Sequence, residues 1–199
     1  MKTIPKFFQA EISIKKSQFI CRLFHAETSI EAKEIIDKVK NKHYDASHNC
    51  SAYITIDGEG YDDDGEPSGT AGKPMLNVLK KNDLKNIVAI VTRYFGGIKL
   101  GSSGLVRAYS KSVLETLAIA EIVEMKPYNL YEIIFDYSNI KLIDDEIRNN
   151  NITVLNKNFK EKIYYKIAID YHKSINPFFE KLKPKIQSNN IGKKYLFFD

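Results

Sequence analysis

The run IVAIV at residues 87–91 constrains the fold more than any other stretch of the chain. Five consecutive apolar, mostly β-branched residues with no polar alternate suit a strand buried on both faces, in the middle of a sheet that is covered on each side. Gly96, Gly97, Gly101 and Gly104 then break the pattern. From Ser102 or Ser103 the spacing predicts a helix, with Val106, Tyr109, Val113, Leu117 and Ala120 on one stripe. A central strand, a glycine turn and a helix N-terminus follow one another directly.

Upstream, EISIKKSQFICRLFHA at 11–26 reads as strand or hairpin. Thr28 with Glu31 has the form of a capping box, ahead of a helix carrying Ala32, Ile35, Ile36 and Val39 and ending near Lys40 and Lys42. CSAYITID at 50–57 predicts a strand with Ala52, Ile54 and Ile56 alternating, and a short helix is expected from Pro74 to Lys81, since proline is tolerated in a first turn. EMKPYN at 124–129 interrupts the pattern and marks a boundary, dividing the chain into 1–124 and 125–199.

The second part has its own order. Tyr131, Ile133 and Phe135 alternate along a strand; Ile140, Ile143 and Ile147 mark a helix begun near Ser138; residues 151–159 and 162–170 suit a hairpin with Ile163, Tyr165, Ile167 and Ile169 inward. Ser174 is expected to cap a second helix with Pro177 in its first turn and Phe178, Leu182 and Ile186 on one face, before a last strand in KKYLFFD. The order βαββαβ is that of a split βαβ sandwich, so the fold class expected for the whole chain is α+β.

At 199 residues a real core is available. No run of about 18 apolar residues offers a membrane span, and MKTIPKFFQA lacks the apolar region and cleavage site of a secretory signal, so no membrane and a cytoplasmic location are expected. Cys21 and Cys50 are too few for a disulfide framework and read as small buried hydrophobes. The net charge of +5 permits a polyanionic partner. Asp57, Glu59, Asp62, Asp63, Asp64 and Glu66 form an acidic block without a cation among them, which by itself suits a solvated loop.

A helix N-terminus preceded by a glycine turn exposes unpaired N–H groups and partial positive charge, and so stabilises an anion such as phosphate. Ser102 and Ser103 can add hydroxyl donors, while Arg93, Lys99 and Arg107 bracket the turn with full charges, and Lys73 joins them on the wider basic face. The pattern lacks the GK[ST] of a P-loop and the GxGxxG of a dinucleotide site, and a serine-capped tight turn would look the same. Tyr94, Phe95 and Tyr109 interleave with the cations; Phe95 and Tyr109 fall where a strand end and a helix stripe pack, which leaves Tyr94 as the stacking candidate. His48 and Cys50 lack a third orienting group for nucleophilic catalysis, and His43, His48 and Cys50 lack a fourth ligand for zinc, so no catalytic residue and no metal site are expected.

DDGEPSGTAGKPMLNVL at 63–79 and VTRYFGGIKLGSSGLVRAYS at 91–110, preceded by HNC at 48–50, resemble the signature of the IMPACT/YigZ family of translation-linked proteins. The resemblance covers the whole chain and departs at Ser103, where many relatives have glycine or another small residue. It implies an N-terminal domain like domain four of elongation factor G and the GHMP kinases, and a C-terminal domain like that factor's last, ferredoxin-like domain. It also implies regulation of translation, through a protein partner in the eukaryotic relatives, and makes His48 a motif residue.

Three functions remain open on these residues. The first is a ribosome- or RNA-associated binding protein without catalysis, using Lys73, Arg93, Tyr94, Gly96, Gly97, Lys99, Gly101, Ser102, Ser103 and Arg107. The second is a nucleotide or phosphometabolite enzyme, in which GSSG at 101–104 holds phosphate and Asp63, Asp64 and Glu66 hold magnesium. The third is a regulator docking through the acidic block. In the favoured arrangement the acids close over the glycine turn and screen its cations.

Overall fold

The computed structural model describes residues 1–173, 176–183 and 185–197. They form two compact α+β units, Met1–Glu124 and Met125–Asp199. The expected cap at Ser174 lies outside the described residues.

The first unit runs β1 (Lys2–Thr3), β2 (Phe8–Ile14), β3 (Ser17–His25), α1 (Ser29–Lys42), β4 (His48–Ile54), β5 (Glu59–Asp62), α2 (Gly72–Lys81), β6 (Ile87–Tyr94), α3 (Ser102–Ile119) and β7 (Val123–Glu124). Strands β1 and β7 pair with each other, and the other five form one sheet in the order β2-β3-β6-β4-β5. Every neighbouring pair in it is antiparallel. Strands β3 and β4 flank β6 and therefore run parallel to one another, with α1 as their crossover: a βαβ unit split by an inserted strand.

The IVAIV strand is central and buried on both sides, as its composition requires. Ile87, Ala89 and Val91 pack with Met75 and Leu79 of α2 and Leu105, Tyr109 and Val113 of α3. Val88 and Ile90 pack with Ala32, Ile36 and Val39 of α1. The alternation of the strand thus separates two helical layers, and each fully buried aliphatic side chain contributes about 1.5–3 kcal/mol of transfer free energy.

Local chemistry explains where the elements start and stop. The Thr28 hydroxyl accepts from the Glu31 amide, while the Glu31 carboxylate reaches back to the Glu27 amide, one residue beyond the usual capping-box partner. Strand β4 ends at Ile54, because the chain turns at Asp57; Ile56 is exposed, and not inward as the alternation predicts. Glu59–Asp62 of the acidic block is an edge strand paired with β4, so only part of the block is loop. On α3 the buried stripe is Leu105, Ala108, Tyr109, Ser112, Val113, Thr116 and Leu117; Val106, expected on it, faces outward.

The second unit runs β8 (Lys126–Phe135), a single 3-10 turn (Tyr137–Asn139), α4 (Ile140–Asn149), β9 (Thr153–Phe159), β10 (Ile163–Asp170), α5 (Asn176–Leu182) and β11 (Ile186–Leu196). Its sheet is antiparallel throughout, in the order β11-β8-β10-β9. Ile133, Phe135, Ile163, Tyr165, Ile167 and Ile169 pack against Ile143 and Ile147 of α4 and Phe178 and Leu182 of α5. Ile186, expected on the second helix, begins the last strand, which starts earlier than KKYLFFD.

Candidate anion-binding cavity

Cross-strand register assembles the site. His48 of β4 lies opposite Arg93 of β6, and Phe19 of β3 lies opposite Arg93 on the other side. Phe19, Arg93 and His48 therefore form one row across the sheet. Phe95 flanks Arg93 as well: the guanidinium carbon sits 5.4 Å from the ring centres of Phe19 and Phe95.

Glu66 drops onto this row from the loop between β5 and α2. The turn is closed by the Glu66 amide donating to the Asp63 carbonyl at 2.9 Å, with Asp64 and Gly65 at φ +44° and +84°. Its carboxylate is almost wholly buried. Oε1 accepts from Arg93 Nη1 at 2.6 Å and from the Tyr109 hydroxyl at 2.8 Å. Oε2 accepts no hydrogen bond from the described residues and lies 3.8 Å from His48 Nε2. His48 Nδ1 is 2.8 Å from the Asp64 carbonyl, which can only accept, so Nδ1 is a donor, and when the ring is neutral Nε2 presents its lone pair. Arg93 Nε is buried without a partner. Burial, followed by Cys50 and Glu66, pushes the Tyr109 phenol far above its ordinary range, so it remains a neutral donor.

The other acids do different work. Asp63 caps α2: Oδ2 accepts from the Gly69 amide at 2.7 Å, and Oδ1 from those of Ala71 and Gly72 at 3.0 and 2.8 Å. Gly72 itself must be glycine, because a Cβ there would meet the Asp62 backbone at 2.7 Å. Asp64 accepts from Lys40 at 2.7 Å and from the Asn49 amide at 2.6 Å. Asp62 is held below the usual carboxylate range by its bond to Lys40 and by the Asp64 amide. Burial works against the charge on Lys40, but its bonds to Asp62 and Asp64 outweigh that and raise its pKa.

The glycine turn passes close to the β2–β3 connection; a Cβ on Gly96 would fall 1.9 Å from the Lys16 carbonyl oxygen. Gly101, at φ +72°, precedes α3 and leaves its first turn with no side-chain cap. Between this helix start and the Glu66 row lies a cavity of about 400 Å³, walled by Pro67, Phe95, Leu100 and Leu105 and carrying His48, Glu66, Arg93, Lys99, Gly101 and Ser102 on its surface.

Of the predicted binding residues, Arg93, Lys99, Gly101 and Ser102 meet at this cavity, with Ser103 beside it on the exposed first turn of α3; Gly96 and Gly97 do not line it. Arg107 is exposed one turn along α3. Lys73 lines a separate groove between α2 and α3. Tyr94 belongs elsewhere: strand alternation turns it to the α1 side, where its hydroxyl meets His43 and Asp45. Phe95, expected in the core, is half exposed and lines the cavity. Parity along Val91, Arg93 and Phe95 is the signal that could have revealed this. The magnesium reading of Asp63, Asp64 and Glu66 does not fit, since each carboxylate is already bound to a different protein partner. Among the described residues no group of three or more His, Cys, Asp and Glu could hold a metal, and His43 is separated from His48 and Cys50 by the sheet.

Residues 15–117 match the Impact N-terminal domain. The chain belongs to the IMPACT family. It is 44% identical over 181 residues to the IMPACT family member YvyE of Bacillus subtilis (strain 168), covering 89% of this chain and 83% of that protein. It is 35% identical over 161 residues to YigZ of Escherichia coli (strain K12), covering 78% and 79%. A crystal structure of a hypothetical protein superposes with a TM-score of 0.69 at 29% identity over 96% of both chains. Against this IMPACT-family frame, the cavity falls between the two long motifs, with Glu66 supplied by the first and Arg93, Lys99 and Ser102 by the second. Among the described residues no helix is long and apolar enough to cross a membrane.

Proposed function

We propose that this IMPACT-family chain acts in translation-linked regulation by binding the phosphate backbone of RNA at the N-terminus of α3. The observation that carries the reading is the uncapped first turn of that helix, opened by Gly101 and bordered by Ser102 and Lys99 at the mouth of a cavity. Aligned amides there stabilise negative charge, and Lys99 and Arg107 form no ion pair among the described residues. Docking through the acidic block is disfavoured, since Asp63, Asp64 and Glu66 are engaged within the unit. A likeness of the second unit to a ferredoxin-like domain is supported by its strand order, and a ribosomal setting follows from that analogy.

The test is fluorescence anisotropy with a short single-stranded RNA at about 50 and about 200 mM salt. Binding by phosphate contacts requires affinity to fall about tenfold or more over that range, and Lys99→Ala to weaken it at every sequence. A flat salt response, or no retention at the lower salt, would overturn the reading.

A further inference from the structure

We infer that the cavity beside α3 is a pocket for a single nucleotide, with the phosphate on the helix N-terminus and a guanine base inside, its edge against Glu66 Oε2 and His48 Nε2. This rests on the phosphate reading above and extends it from a charged surface to a base-selective site.

Three observations converge. The first is an unmet acceptor. Glu66 is among the most buried charged side chains in the chain, with 3% of it exposed, yet its two oxygens are treated unequally: Oε1 receives two hydrogen bonds and Oε2 none. The side chain as a whole is buried, and Oε2, without a donor among the described residues, belongs to a residue that lines the cavity, so it is the acceptor open to an occupant. The second is its neighbour. The bond from His48 Nδ1 to the Asp64 carbonyl leaves Nε2 of the neutral ring as an acceptor, 3.8 Å from Oε2. The inner end of the cavity thus presents two acceptors side by side, with Arg93 below them bonded through Nη1 to Glu66 Oε1 and through Nη2 to Ser17, packed on the two aromatic rings, and its Nε without a partner.

The third is the shape and polarity of what separates this end from α3. At about 400 Å³ the cavity has the size of a small-ligand site, larger than a bare phosphate needs. Its walls, Pro67, Phe95, Leu100 and Leu105, are apolar, and its outer end carries Lys99 and Ser102. An occupant that satisfies all of it has an anion at one end, a flat apolar body, and two adjacent N–H donors at the other. Nucleotides have that layout. Of the four standard bases guanine alone carries two adjacent donors, its ring N–H and its amino group; adenine and cytosine set an acceptor beside the amino group, and uracil flanks its one N–H with carbonyls. Phe95 then supplies a ring at the wall, a role suited to its exposure at the end of β6.

The experiment is isothermal titration of the full chain with GMP, AMP, UMP, CMP and ribose 5-phosphate, alongside the RNA measurement. GMP is expected to bind about tenfold or more tightly than the other nucleotides, and ribose 5-phosphate to bind weakly. Phe95→Ala, at an exposed position, should bring GMP down toward the ribose 5-phosphate value, and Glu66→Gln should erase the preference for guanine. If ribose 5-phosphate binds as well as GMP, or if RNA binds with a steep salt dependence while no mononucleotide does, the base pocket is wrong and the phosphate reading stands. If neither RNA nor any of these phosphates binds, both fall.

Discussion

The two units bury charge in opposite ways. The second has a nearly all-apolar interior, and its one buried charged side chain among the described residues, Glu146, is met by Lys181, whose side chain is 63% exposed. The first buries Glu66 and Arg93 together, with Tyr109 and Ser17 bonded to them, and buries Arg22 on the opposite face of the sheet against Thr92. A pair that keeps one partner in water is a surface interaction with a small net effect. A pair with both partners removed from water is costly to make and more costly to break, and its retention at a cavity marks the place where the first unit departs from plain packing.

Breaking each pair tests that contrast most sharply. Glu66→Gln leaves Arg93 as a buried charge without its counter-ion and is expected to cost about 3–5 kcal/mol, whereas Glu146→Gln, with Lys181 free to turn to solvent, should cost less than about 1 kcal/mol. Native-state hydrogen exchange on the β6 and β10 amides reads the two effects separately. Equal losses would erase the distinction.

Alkaline pH sharpens it next. Burial pushes the Cys21 thiol up from 9.0 to about 12, and burial likewise raises Cys50 and Tyr109. These groups stay neutral in the folded unit, so their contribution is fully present below about pH 9. It is lost as pH rises from 9 toward 12, because the unfolded thiols ionise first, at up to about 1.4 kcal/mol per pH unit for each. The second unit has no cysteine. Urea midpoints of the first unit at about pH 8 and about pH 10.5 should therefore fall, and Cys21→Ala should flatten the fall. An unchanged slope in that variant would show that the thiol is not the titrating group.

A smaller effect than the loss of Glu66 is expected at Asp63. Asp63→Ala removes the cap of α2 and should cost about 0.5–2 kcal/mol by thermal unfolding, without altering the RNA affinity. A loss of binding equal to that of Lys99→Ala would show that Asp63 itself contributes to the ligand site.

Much of the scaffold was legible in the residues. The two-sided burial of 87–91, the Thr28 cap, the helix after the glycine turn and the βαββαβ order of the second part all follow from periodicity and capping over a few neighbouring residues. The site was legible only in its ingredients. Arg93, Lys99, Gly101 and Ser102 follow closely in the sequence and line one cavity, but the spacing sets Tyr94 beside them and Phe95 in the core, one residue out of phase with the pleat. In the sequence the acids form one block, although Asp63, Asp64 and Glu66 turn to three different partners within four residues.

What the chain determined by itself was the set of elements and the position of each glycine break, because those depend on local spacing and backbone freedom. Tertiary structure alone decided that Glu66 meets Arg93 and Tyr109, 27 and 43 residues away, and that His48 stands across the sheet from Arg93. Strand order and register place those groups in contact, and a charge placed out of water must find its partner wherever the fold brings one; no window of neighbouring residues contains that information.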